Sequence, residues 1–193
     1  MMKTLKTAIL LLLFMTLLTG VVYPLAVTGL AQVIFPRQAN GSILYKDGQP
    51  VGSSLIGQSF SGPGYFHGRP SAAGKGYDAT ASGGSNLGPT SKTLINQVAQ
   101  NAAKVRTENG LPPNAPVPAD LVTASGSGLD PDISPDGALL QVPRVAKARH
   151  LPQAQVRSLV ESHIQGPEFG LLGDPMVNVL QLNLDLDKIT QKP

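Results

Sequence analysis

Three histidines and one Ser/Gly-rich stretch are the residues whose types and spacing suggest chemistry. His67, His150 and His163 are not paired at ligand spacing such as i, i+4, and the absence of cysteine excludes thiol catalysis and thiolate metal sites. Successive backbone N–H groups in a glycine-rich loop can point at phosphate. The candidate for such an anion-binding nest is a run of four residues, Ser82, Gly83, Gly84 and Ser85. A simple turn is the alternative interpretation of this run.

Common catalytic and metal-binding motifs are not matched. Gly74-Lys75 is followed by glycine, where a phosphate-binding loop needs Ser or Thr, and no Gly-x-Ser-x-Gly segment exists. A calcium loop starting at Asp130 fails because Pro135 occupies the position that requires glycine. We therefore predict no catalytic residue and no metal site.

Residues 60–90, here named the Gly/aromatic loop, are the most unusual part of the chain. They contain eight glycines and three prolines. A loop of this length inside a compact domain is usually either functional or disordered, and its aromatic residues argue against disorder. We predict a partner interface that includes Phe60, Tyr65, Phe66, His67 and Arg69. The alternative is that the aromatic rings fasten the loop to its own core.

An uncharged apolar segment from Ala8 to Phe35 is long enough to cross a bilayer. Pro24 should kink this helix near residue 20, and it is also a candidate contact with a partner's membrane helices. A cleaved signal peptide is the alternative, since Gly29-Leu30-Ala31 fits a cleavage site, but the apolar stretch is long for one. We therefore predict a cytoplasmic tail and a single transmembrane helix in residues 1–36.

The charge distribution indicates the orientation and excludes one class of partner. Lys3 and Lys6 precede the apolar segment, which favours a cytoplasmic N-terminus and places residues 37–193 outside as an extracytoplasmic domain. From Arg37 onward there are 13 basic and 12 acidic residues without a basic run. Nucleic-acid binding needs clustered cations, so we exclude it.

The predicted elements make a mixed α/β (α+β) domain. Asp47-Gly48 predicts a hairpin turn within residues 42–52, and an apolar stripe predicts a helix over 91–109 that ends at Gly110. The remaining predictions are a strand at 121–123, a helix from Ser134 that Pro143 splits or kinks, a helix from Pro152 to about Gln165, a strand at 176–182 and a short helix capped by Asn183.

Several long and unusual strings occur in order along the chain. The most distinctive are Thr19-Gly20-Val21-Val22-Tyr23-Pro24, Gly64-Tyr65-Phe66-His67-Gly68-Arg69-Pro70-Ser71, Ala81-Ser82-Gly83-Gly84-Ser85-Asn86-Leu87 and Val142-Pro143-Arg144-Val145-Ala146-Lys147. With these strings the chain resembles the KdpC family, the C subunit of bacterial potassium-transporting P-type ATPases, from about Thr19 to Leu186.

The resemblance implies a single-pass inner (plasma) membrane subunit with three partners: a channel-like potassium-binding subunit, an ATP-hydrolysing subunit and a small stabilising peptide. It also implies a catalytic chaperone that raises the ATP affinity of the hydrolysing subunit, with ATP contacting the run from Ser82 to Ser85. The phosphorylated Asp-Lys-Thr-Gly motif is missing, because residues 187–190 read Asp-Lys-Ile-Thr. We therefore expect a partner to hydrolyse ATP.

The predicted orientation conflicts with direct nucleotide contact, because an outside domain does not meet cytoplasmic ATP. We expect the domain instead to lie over the outer mouth of the potassium-binding subunit, where it stabilises assembly or shapes ion entry. The alternative function is a free membrane-anchored extracytoplasmic binding module with the Gly/aromatic loop as its site.

Overall fold

The computed structural model describes residues 2–190 and separates into two compact units, Met1–Ile43 and Leu44–Pro193. The N-terminal unit is helical throughout most of its length. Its elements are α1 (Met2–Leu17), a π-helical turn (Leu18–Val22), α2 (Tyr23–Ile34) and the short α3 (Pro36–Ala39).

The continuous helix Met2–Ile34 is long and apolar enough to cross a membrane. It has 33 residues, a mean hydropathy of 2.3 in its most apolar window, and no residue of that window is buried. At 1.5 Å per residue it measures about 50 Å, against about 30 Å for a bilayer core. Such a helix must tilt or protrude if it spans a bilayer.

Pro24 is the second residue of α2, two positions after the end of the π-helical turn. Proline has no N–H, so the carbonyl four residues earlier, that of Gly20, loses its helical partner. The backbone responds with a wider turn, in which the Tyr23 N–H bonds to the Leu18 carbonyl five residues earlier. The sequence predicted a kink near residue 20, and the structure shows a π-helical turn there within the helix Met2–Ile34.

The C-terminal unit combines helices with two small antiparallel sheets, which confirms the α+β class. β1 (Ile43–Lys46) pairs with β2 (Gln49–Ser53). The second sheet has the order β3-β5-β4, with Ile133 and Ile164 both opposite Val177. The elements after β2 are α4 (Lys92–Asn109), a 3-10 turn (Ala119–Leu121), β3 (Asp132–Ile133), α5 (Pro135–Arg149), α6 (Gln153–Ser162), β4 (Ile164–Gln165), β5 (Met176–Asn178) and α7 (Val179–Thr190).

The core lies where α5, α6, α7 and β5 meet. Each of these helices contributes an apolar stripe, and the central strand contributes Val177. The fully or almost fully buried apolar side chains include Phe66, Val142, Val145, Val156, Val160, Val177, Leu182 and Leu186. Phe66 is the one member of this set that comes from the Gly/aromatic loop.

Local sequence signals predicted several elements correctly. The hairpin turn at Asp47 and Gly48 has φ values of 53° and 78°, the left-handed geometry that glycine accepts readily. α4 spans Lys92–Asn109 and ends at Gly110 with φ 65°. Ser134 caps α5, since its Oγ accepts the Gly137 N–H at 3.0 Å.

Other boundaries were wrong. The strand predicted at 121–123 is wrong, because residues 119–121 form a 3-10 turn and residues 122–123 join no sheet. The helix predicted to reach about Gln165 ends at Ser162, because Ile164 and Gln165 join the sheet. α5 runs through Pro143 without splitting. The predicted strand 176–182 stops at Asn178, whose side chain accepts the Gln181 N–H at 3.1 Å and so caps α7. Asn183 therefore lies inside this helix and does not cap it.

Candidate functional site

Two buried carboxamides hold the Gly/aromatic loop against α5 and α7. The Asn183 side chain on α7 accepts the Phe66 N–H at 2.8 Å and donates to the Phe66 carbonyl at 2.9 Å. The Gln141 side chain on α5 accepts the His67 N–H at 2.8 Å and donates to the His67 carbonyl at 3.1 Å. The backbone N–H and carbonyl groups of two consecutive residues are thus satisfied by side chains from two different helices.

Phe66 is fully buried in the core cluster. This is the packing that the alternative interpretation predicts, in which the aromatic residues fasten the loop to its own domain. Phe60 is partly buried against the same cluster. The loop is therefore an ordered part of the domain, and its conformation depends on the core.

Tyr65 lies in a charged network on the same part of the loop. The Arg149 guanidinium sits 4.3 Å from the Tyr65 ring centroid, and the Phe60 ring centroid is 5.5 Å from it. Asp187 accepts from Arg149 at 2.9 Å and from Lys46 at 2.8 Å. Burial alone would raise the pKa of Asp187, but the hydrogen bonds from these two cations outweigh it and lower the pKa. The network ties the hairpin, the loop, α5 and α7 together.

His67 bridges the loop and α4. Its Nε2 is 3.0 Å from the Gly62 carbonyl, and its Nδ1 is 3.4 Å from a carboxylate oxygen of Glu108. The carbonyl and the ionised carboxylate both only accept, so the neutral ring, with its single N–H, can donate to only one of them. Burial lowers the pKa of His67, and the nearby Arg144 lowers it further against the opposing effect of the Gly62 carbonyl and Glu108.

A cavity of about 300 Å³ lies beside His67, between the loop and α4. Its lining combines hydroxyl, amide and charged groups, including those of Ser59, Ser71, Tyr77, Asn101, Lys104 and Glu108. Arg69 also lines this cavity, but its guanidinium already forms an ion pair within the domain. Nη1 of Arg69 pairs with Asp130 at 2.9 Å, while its buried Nε has no hydrogen-bond partner among residues 2–190.

The run from Ser82 to Ser85 is partly occupied by internal hydrogen bonds. The Gly83 N–H and the Ser82 hydroxyl both donate to the Ser127 carbonyl, at 2.8 Å and 3.0 Å. Ser85 lies at a second cavity of about 400 Å³ under α4, and none of the described residues that line this cavity is charged. Polyphosphate recognition usually relies on Lys or Arg, so this surrounding supplies little of that chemistry. Nucleotide binding at this run stays a prediction.

Comparison with known proteins decides the family. The family model described as KdpC, the c chain of K⁺-transporting ATPase, matches residues 5–188. The chain belongs to the KdpC family. A KdpC subunit of a potassium-transporting ATPase from Acidobacterium capsulatum is 57% identical over 97% of this chain and 100% of its own length. KdpC subunits from Methylobacterium nodulans and Gemmatimonas aurantiaca are 54% and 56% identical, over 100% and 98% of this chain and 100% and 95% of their own lengths.

KdpC membership agrees with the resemblance drawn from the sequence. The sequence did not, however, identify all the residues that hold the Gly/aromatic loop in place. Gln141 and Asn183 were not predicted to contact the loop. The buried positions Val179, Leu182, Asn183 and Leu186 follow helical spacing. Had this segment been interpreted as a helix, an amide on its buried face would have indicated a buried polar contact.

Proposed function

We propose that this chain is the accessory, non-hydrolysing subunit of an ATP-driven, high-affinity potassium uptake complex. The observation that carries the proposal is the match to KdpC subunits over nearly the whole chain. The missing Asp-Lys-Thr-Gly motif supports a division of labour in which a P-type partner hydrolyses ATP. The other proposed partners are a channel-like potassium-binding subunit and a small stabilising peptide.

The proposed role of the domain is assembly and stabilisation of the complex from the outer side of the plasma membrane. Its ordered loop and charged network suit a rigid docking module, since rigid surfaces lose little entropy on binding. A chaperone effect on ATP affinity then acts through the partner's conformation and needs no nucleotide on this chain.

Deletion of the gene for this chain is expected to abolish ATP-driven potassium uptake at low external potassium. Growth in potassium-limited medium and rubidium uptake measure the effect, and a plasmid copy of the full chain serves as the control. A tagged full chain should co-purify the P-type subunit. Normal uptake in the deletion strain would refute the proposal and leave the free binding module as the better hypothesis.

The proposed orientation is tested by labelling single cysteines, because the natural chain has none. Lys75→Cys places a thiol on an exposed glycine-rich turn, and Lys3→Cys places one before the membrane helix. A membrane-impermeant maleimide added to intact spheroplasts should label position 75 and leave position 3 unlabelled until the membrane is permeabilised. The reverse pattern would place the domain in the cytoplasm, and labelling of soluble, N-terminally shortened protein would indicate cleavage.

A further inference from the structure

The segment between β4 and β5 exposes three large apolar side chains, here named the apolar tip: Phe169, Leu171 and Leu172. Their exposed fractions are 90%, 87% and 63%. Phe169 and Leu171 are the two most exposed large apolar residues among residues 44–190. Single exposed apolar residues are ordinary, but three within four positions indicate a contact surface.

The apolar tip is built on an ordered turn. The Glu168 N–H bonds to the Leu172 carbonyl at 2.9 Å, and the Leu172 N–H returns to the Glu168 carbonyl at 3.0 Å. Phe169 has a φ of 54°, which costs a side-chain-bearing residue about 1–2 kcal/mol. The turn thus holds an aromatic ring in solvent in an unfavourable backbone conformation. An aromatic ring that is already held in one backbone conformation loses little entropy when it enters a protein pocket.

Two carboxylates flank the apolar tip and distinguish between possible partners. Glu168 and Asp174 are exposed, and neither forms an ion pair within the described part of the chain. An anionic lipid surface repels such groups and attracts basic ones. A protein pocket with an apolar floor and Lys or Arg at its rim complements both the rings and the charges.

We infer that the apolar tip inserts into an apolar pocket, rimmed by basic side chains, on another subunit of the potassium-transporting ATPase. The inference rests on the proposed function, because it requires that this chain assembles into that complex. It adds a second anchoring point to the membrane helix, and it assigns this contact to residues 168–174.

The test uses the full chain within its complex. A benzophenone amino acid is incorporated at position 171 by codon suppression, and the matched control carries it at position 95, where Ile95 is 56% exposed on α4. Illumination of membranes should crosslink position 171 to one protein of the complex, identified by mass spectrometry as a peptide containing Lys or Arg. Position 95 should yield much less of this product.

A second variant, Phe169→Ser with Leu171→Ser, should keep the wild-type melting temperature, since both side chains are already exposed. Its retention of the partner in detergent pull-downs should fall about tenfold or more. Adducts only with lipid, no adduct, equal crosslinking at both positions, or unchanged pull-down would each overturn the inference. Co-purification of the wild-type chain with the complex separates this inference from the proposed function. If the complex assembles and the apolar tip fails these tests, only the inference is wrong. If the complex does not assemble, both are wrong.

Discussion

Replacing Asn183 with leucine is expected to lower the free energy of unfolding, because it breaks the contact between the Gly/aromatic loop and α7. Asn183 is 1% exposed, and its amide satisfies both backbone groups of Phe66. Leucine has the same branched shape and number of heavy atoms, with bulkier methyl groups, but neither donor nor acceptor, so the Phe66 N–H and carbonyl stay buried without partners. Each such group costs about 1–3 kcal/mol, which makes the expected loss about 2–6 kcal/mol. That is a large part of the stability of a small domain.

The measurement is urea unfolding of the purified full chain in detergent, followed by near-ultraviolet circular dichroism of its Tyr and Phe side chains. Gln181→Leu is the matched control, because Gln181 lies on the same helix and its side chain makes no hydrogen bond to any residue between 2 and 190. The control should change stability by no more than about 0.5 kcal/mol. Equal midpoints for Asn183→Leu and the wild type would show that these hydrogen bonds do not hold the loop.

Elements with a signal contained in a few adjacent residues were predictable from the sequence. Ser134 followed by Pro135 marks the start of α5, and Gly110 marks the end of α4, because helix ends need specific caps. The Asp47-Gly48 turn is equally local. The apolar segment needs no tertiary information either, since its length and lack of charge decide its character.

Elements that depend on tertiary contacts were not predictable in the same way. The run Met176 to Leu182 is apolar and β-branched enough for a strand, yet only three residues find a pairing partner in β3 and β4. Beyond Asn178 the chain becomes a helix whose buried residues, including Leu182 and Leu186, join the core cluster beside α6. Propensity is a weak guide where packing decides between strand and helix.

The same limit applies to the candidate site. The sequence indicated that the Gly/aromatic loop is special and named Phe60, Tyr65, Phe66, His67 and Arg69. It did not indicate that the Asn183 side chain hydrogen-bonds to the Phe66 backbone, since these residues are 117 positions apart. Long-range pairs of this kind leave no local pattern, so the sequence left core packing and partner contact as open alternatives for each ring.

Phe66→Ala is expected to destabilise the domain by about 3–5 kcal/mol, because it removes a fully buried aromatic ring and leaves a cavity in the core cluster. Partner pull-down should fall only in proportion to the fraction unfolded. A melting curve of the full chain in detergent, measured beside the pull-down at a temperature below the variant's midpoint, separates loss of fold from loss of contact.

Tyr65→Ala is the informative comparison, since Tyr65 is the neighbouring ring and is only half-buried. It loses the Arg149 cation–π contact and the Phe60 ring contact, together about 1–3 kcal/mol, so it should melt above Phe66→Ala. If Tyr65 also touches the partner, pull-down falls while the chain remains folded. If both variants melt like the wild type and both release the partner, the two rings are interface residues and the buried packing of Phe66 is wrong.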